Sequence, residues 1–199
     1  MPFTKVYDNQ DPWYQAIQER PEDNADLLQH LNELWKVFSP YSDTNFESAF
    51  ALDPFARYWE MSLAVRLLES GKALITSNQF KKNSPKPDIC IAEDGIRIWI
   101  EAVCPTEGES ETDGVRAPQN RTLGAVPVRQ AMLRITQAIT SKIEAFDGYI
   151  KHGLIEEKDI VLIAVNTGRY GYYTMDDDYP LIVKCIFPGK RPTDTPYQS

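Results

Sequence analysis

Histidine and cysteine are scarce in this chain, two and three among 199 residues. His30 and His152 stand in no metal-ligand spacing. Cys90, Cys104 and Cys185 form no CxxC pair. A zinc centre and a disulfide framework therefore have nothing to rest on, and the cysteines read as buried free thiols of a reducing compartment. GxSxG, HExxH and P-loop motifs are all missing, which removes three large enzyme classes. No run approaches the ~20 apolar residues of a membrane span, so no membrane association is expected. The opening MPFTKVYDNQ has no apolar signal segment. The expected location is the cytoplasm, or wherever a route without an N-terminal signal leads. Positive charge is also short: 21 Lys and Arg against 29 Asp and Glu give a net charge of −8. That argues against an extended electropositive nucleic-acid surface. Repeats and low-complexity tracts are absent.

What the chain does have is a stretch around which the rest is organised, Pro87 to Pro105 (PDICIAEDGIRIWIEAVCP). Ile89–Ala92 is one short apolar run. Glu93-Asp94-Gly95 is a turn, with glycine free to take positive φ. Ile96, Ile98 and Ile100 then alternate with Arg97, Trp99 and Glu101, the period of two of a strand. A hairpin of this kind sets Asp88 and Glu101 side by side. Two converging carboxylates repel unless a cation sits between them, and a hard oxygen-seeking ion such as Mg²⁺ suits that position.

Around the hairpin the pattern predicts further elements. Asn24 caps a helix over Ala25–Phe38, with Leu27, Leu28, Leu31, Leu34, Trp35 and Phe38 at helical spacing. Asp53-Pro54 opens a second helix that stops at Gly71. Its apolar stripe is Tyr58, Met61, Val65 and Leu68, and Glu60 falls beside it. Ala73–Ser77 reads as a short strand. Thr106–Pro127 is a long loop of the kind that carries function or mobility. Val128 to about Ile150 is the longest helix, with Met132, Ile135, Ile139, Ile143, Phe146 and Ile150 as its core stripe and Lys142 on the shoulder of that stripe. Ile160–Asn166 reads as an interior strand covered on both faces, Asp176-Asp177-Asp178 as a solvated turn, and Leu181–Phe187 as an edge strand. The expected organisation is a helical arm over 1–52, a core domain over 53–187 and a loose tail over 188–199. Ile98, Ile100, Ile135, Ile139, Leu162 and Ala164 are the expected core at the sheet–helix interface.

This order of elements and acids, over roughly residues 53–166, resembles the PD-(D/E)XK nuclease superfamily, the fold of restriction endonucleases and many repair nucleases. The resemblance rests on Pro87-Asp88, on Glu101 in the following strand, and on Glu60 in YWEMSLAVRLLESG before the sheet. It implies an α/β fold, a restriction-endonuclease-like αβββαβ core whose four-stranded mixed sheet is flanked by helices. It also implies hydrolysis of phosphodiester bonds in DNA (or RNA) with Mg²⁺ (or Mn²⁺). Asp88 and Glu101, with the carbonyl of Ala102, would be the metal ligands, and Glu60 would assist. The sequence departs from the motif at one place. Its lysine should follow the second acid by two residues, where Val103 stands. Some members of the superfamily carry that lysine on the next helix, and Lys142 is the best-placed substitute, ahead of Arg134.

The catalytic candidates are therefore Glu60, Asp88, Glu101 and Lys142. Lys81, Lys82, Lys86, Arg116, Arg121, Arg129 and Arg134 are the candidates for contacts with nucleic-acid phosphates. A nucleic acid is the expected partner. The alternative is an inactive nuclease-like fold that binds a basic protein partner through its acidic surface, which the missing strand lysine and the net charge favour.

Overall fold

The computed structural model describes residues 2–80, 84–108, 114–115, 128–173 and 180–187. Lys81, Lys82, Arg116, Arg121, the acidic triplet at 176–178, the tail at 188–199 and most of the 106–127 loop lie outside the described residues. Those described form six α-helices and three strands: α1 (Pro12–Glu19), α2 (Ala25–Phe38), α3 (Phe46–Leu52), α4 (Pro54–Glu69), β1 (Ile89–Glu93), β2 (Ile96–Val103), α5 (Val128–Lys151), β3 (Ile160–Val165) and α6 (Leu181–Ile186).

The sheet is mixed, in the order β1-β2-β3. β1 and β2 are antiparallel, paired from Ile89↔Ile100 to Glu93↔Ile96. Asp94 (φ 50°) and Gly95 (φ 79°) join them. Positive φ at both central positions is the turn geometry that matches the natural twist of a hairpin. Lys72 clasps Glu93 at the same corner, Nζ to Oε1 at 2.7 Å. β3 runs parallel to β2, Ile98↔Ile160 through Val103↔Val165, with α5 in the crossover.

Three layers result. On one face, Ile89, Ile91 and Ile100 pack on Met61, Ala64 and Val65 of α4, and that cluster continues into Phe3, Tyr14, Leu31, Phe38, Phe46 and Phe50. The N-terminal helices thus share one core with the sheet. On the other face, Cys90 and Trp99 pack on Phe146 of α5 and on Ile155. A third cluster joins Ala131 and Ile135 of α5 to Tyr170 and Leu181. Among the described residues no helix is long and apolar enough to cross a membrane.

Several expectations change. The fourth strand is reduced to one bridge, Leu74↔Ile91. It is held by Ile75 N–H to Cys90 O and Ala92 N–H to Ala73 O before Ser77–Gln79 winds into a 3-10 turn. The sheet of the described residues therefore has three strands. β3 is not interior: it stands at the sheet edge, and Ile160, Val161 and Leu162 are each more than 40 % exposed. An unbroken apolar run reads as doubly covered, but nothing described pairs beyond β3. Leu181–Ile186 is a helix that follows Pro180 and buries Leu181 against α5. Of the expected core, Ile100 and Ile135 are buried, Ile98, Ile139 and Ala164 are partly buried, and Leu162 is exposed. Asn24 stands at the N-cap position of α2 but makes no side-chain cap bond; its amide donates to Arg20 O. Helices α1 and α3 lie within the expected helical arm, where only α2 was assigned.

α5 is rotated relative to its apolar stripe. Ile143 and Ile150 are half exposed, while Ala131, Ile135 and Phe146 are buried. The sheet-facing side runs through Ala131, Ile135, Lys142, Phe146 and Tyr149, so the lysine lies within it rather than on its shoulder. This rotation is testable by denaturation. Ile135→Ala should lower the unfolding free energy by about 2–5 kcal/mol, the usual loss for a buried aliphatic, and Ile143→Ala by less than about 1 kcal/mol. Equal losses would restore the unrotated stripe.

Candidate active site

The hairpin register, carried one step past Ile89↔Ile100, puts Asp88 directly opposite Glu101. Like charges at such a position repel. The structure answers with hydrogen bonds and cations. Asp88 Oδ2 accepts the backbone N–H of Ala102 at 2.8 Å. In an antiparallel ladder that N–H would go to residue 87, which one more register step places opposite Ala102. Residue 87 is proline, without an N–H, so it has nothing to give the Ala102 carbonyl that points the same way. The Pro-Asp pair thus ends the ladder, substitutes a carboxylate for one strand bond and gives the Ala102 carbonyl no ladder N–H.

Glu101 is 2 % exposed on the central strand. Lys142 of α5 donates to its Oε2, and Tyr149 of the same helix donates its hydroxyl to Oε1 at 2.9 Å. Lys142 Nζ also lies 3.9 Å from Asp88 Oδ2. One ammonium therefore serves both hairpin acids, seven residues before the tyrosine that holds the second of them. Val103, at the motif's usual lysine position, supplies no charge.

The helix acid arrives from the opposite layer. Glu60 is 6 % exposed on α4, and Arg57 one turn earlier donates to it, Nη1 to Oε2 at 2.5 Å. The same Nη1 is 3.9 Å from Asp88 Oδ1. Asp88 is thus the hinge of a chain of charges, Glu60–Arg57–Asp88–Lys142–Glu101. Arg57 was not among the sequence candidates. Its spacing of three from Glu60 on one helix was the signal that could have found it.

Burial pushes the Glu60 carboxyl up to about 8, with the charge of Asp88 adding to the rise and Arg57 opposing it. Burial likewise lifts Glu101 to about 7, reinforced by Asp88 and opposed by Lys142 and Tyr149. The Tyr149 hydroxyl is raised by burial and by the neighbouring carboxylate.

The other basic candidates are engaged elsewhere or lie apart. Lys86 is mostly buried, ion-paired to Asp43 at 2.8 Å and seated over the Phe80 ring. Arg134 binds Thr106, Nε to the carbonyl at 3.1 Å, and ties α5 to the chain after β2. Arg129 is exposed in the first turn of α5. Lys86 and Asp43 also line an open groove of about 780 Å³ with Ser42, Asn45, Ser77 and Asn78. A separate small crevice shares Lys86 and Phe80 with it and is lined by Asp88.

Among the described residues, no group of three or more His, Cys, Asp or Glu is gathered as a ready metal site. The donor set nonetheless suits a hard divalent ion. Two carboxylates already converge on one cation, and Mg²⁺ needs few protein ligands because it keeps its waters. No family model, curated protein or solved structure matches the chain.

The raised carboxyls fix the sign of a pH effect. Unfolded, both titrate near 4.5; folded, they hold their protons to about 8 and 7. The folded state binds more protons across this window, so these two groups make the metal-free protein less stable as pH rises from ~4.5 to ~8. Glu101→Gln should lose less stability than wild type between pH 5 and 8, the difference being of order 1–3 kcal/mol by urea titration. An identical pH dependence would mean Glu101 is ionised throughout.

Proposed function

We propose that the protein is a metal-dependent nuclease of the PD-(D/E)XK type, which hydrolyses phosphodiester bonds in DNA, or in RNA, with a lysine displaced from the strand to the following helix. One observation carries this reading: Lys142 reaches Glu101 and Asp88 together. That gives the acid pair the cation that Val103 cannot provide. The order of elements, the Pro-Asp start of β1 and the buried Glu60 support it. The restriction-endonuclease-like core belongs to the same proposal, with the Leu74 bridge standing for its outer strand. The buried free thiols Cys90 and Cys104 accord with a cytoplasmic protein.

Asp88, Glu101 and the Ala102 carbonyl would hold Mg²⁺ or Mn²⁺, with Glu60 close by. The ion supplies Lewis acidity and charge neutralisation for hydrolysis near neutral pH. The chain's own groups do the positioning. The Ala102 N–H fixes the Asp88 carboxylate, and the Tyr149 hydroxyl fixes Glu101. Lys142 orients the attacking water and stabilises the charge that builds on the phosphate as the new P–O bond forms and the ester P–O bond breaks.

A second reading draws on the same ion pairs. Lys142 and Arg57 already satisfy the acids, as they would in an inactive fold that serves as a protein-interaction module. Assays on DNA and RNA substrates with Mg²⁺ and Mn²⁺ separate the two. Wild type should cleave, and Lys142→Ala should lower the rate by about 100-fold or more while circular dichroism shows a folded protein. Glu101 tolerates the loss by keeping its proton. Wild-type-like cleavage by the variant would remove Lys142 from the mechanism. No cleavage by wild type with any metal would leave the interaction module.

A further inference from the structure

Arg57 has no role in the mechanism above, yet it touches two of the three acids. It meets Asp88 on Oδ1, whereas Lys142 meets it on Oδ2. The two cations therefore flank one carboxylate from different sides, one from each helix layer. Both contacts of Arg57 use Nη1. Its other N–H groups have no protein partner among the described residues, and the side chain is 36 % exposed. A guanidinium carries five donors in a rigid fork suited to paired oxygens, so this one is held by a single corner and open at the rest.

The charge balance says what it is open for. Three carboxylates against Arg57 and Lys142 leave the site one negative charge in excess when all are ionised. A divalent ion at the hairpin acids turns that into at least one positive charge in excess. A phosphodiester carries one negative charge. Once the ion is bound, Asp88 no longer needs Arg57, which stays on Glu60 through Nη1 and keeps its other donors free.

We propose that Arg57 is a catalytic residue that binds a non-bridging oxygen of the substrate phosphate, opposite Lys142, through the donors it does not spend on Glu60. This rests on the nuclease reading and adds a residue to it. In the free protein Arg57 stays with Glu60; with ion and substrate bound, its outer N–H groups neutralise charge on the phosphate as the transition state forms.

The test uses the full chain. Mn²⁺ affinity is measured by calorimetry, and kcat and KM are measured on a labelled oligonucleotide, for wild type, Arg57→Ala and Arg57→Lys. Wild-type Mn²⁺ binding and cleavage come first, and their absence overturns the nuclease reading together with this proposal. With an active wild type, Arg57→Ala should lower kcat/KM by about 100-fold or more. It should bind Mn²⁺ as tightly as wild type or several-fold tighter, because a repelling cation is gone. Arg57→Lys should recover part of the rate. A fall in cleavage matched by lost Mn²⁺ binding would make Arg57 a structural prop for Glu60 and overturn the proposal, as would cleavage within threefold of wild type. Should Arg57→Ala fail to fold, Arg57→Lys and Arg57→Gln carry the same comparison, with loss confined to kcat/KM supporting the proposal and loss of Mn²⁺ binding overturning it.

Discussion

The structure depends on how a carboxylate is kept at 2 % exposure in the middle of its sheet. Burying an unpaired charge costs several kcal/mol or drives the group to neutrality. Two donors on one helix, the Lys142 ammonium and the Tyr149 hydroxyl, oppose that cost for Glu101 and hold down the rise that burial gives its carboxyl. Those contacts determine which side of α5 faces the sheet. They explain why Ile143 and Ile150 are turned outward although their apolar spacing would have buried them. An aliphatic side chain loses about 1.5–3 kcal/mol by staying exposed, which is less than an uncompensated buried carboxylate costs, so the polar contacts set the rotation.

Asp88 has a different task. It stands where the ladder ends and where both helix layers come within reach, with Arg57 on one side and Lys142 on the other. Proline before it prevents the ladder from continuing, and its own oxygen takes the bond that would have gone on. The dipeptide is therefore a strand terminator that leaves charge and a carbonyl behind. That is a useful thing to have at the edge of a sheet if anionic chemistry is to be done there.

Much of this was legible in the residues, and for identifiable reasons. The hairpin showed through strict alternation and a turn needing positive φ. α2, α4 and α5 showed through period 3.6, with the Asp53 cap of α4 and the glycine that follows α4 as further signals. Asp88, Glu101, Glu60 and Lys142 were all nameable from spacing and from the family resemblance, and the structure brings them into one chain of contacts. What stayed hidden was decided by tertiary structure. β3 is as apolar as a central strand but lies at the edge, because coverage depends on what packs beside it. Ala73–Ser77 has strand-like residues but only one bridge's length of partner. Leu181–Phe187 has no periodicity strong enough to separate a short helix from a strand. Arg57 carried only a weak signal, its spacing of three from Glu60 on one helix, and its second contact, with Asp88, comes from tertiary structure. Lys86 read as a free cation, yet Asp43, more than forty residues away in sequence, claims it.

The position of Lys142 has one more consequence. A lysine two residues beyond Glu101 on the strand would be held to it by bond lengths and angles. Lys142 is held by the fit of a helix against a sheet, through Ile135 and Phe146 on either side of it. Helical residues sit about 100° apart around the axis, so a modest roll of α5 withdraws the ammonium without breaking any backbone bond. Two hydrophobic side chains that touch no reacting group thereby become the bearings on which the ammonium turns. Interior packing in this protein has a direct line to its charge chemistry, and the tolerance of the site to change is the tolerance of that interface.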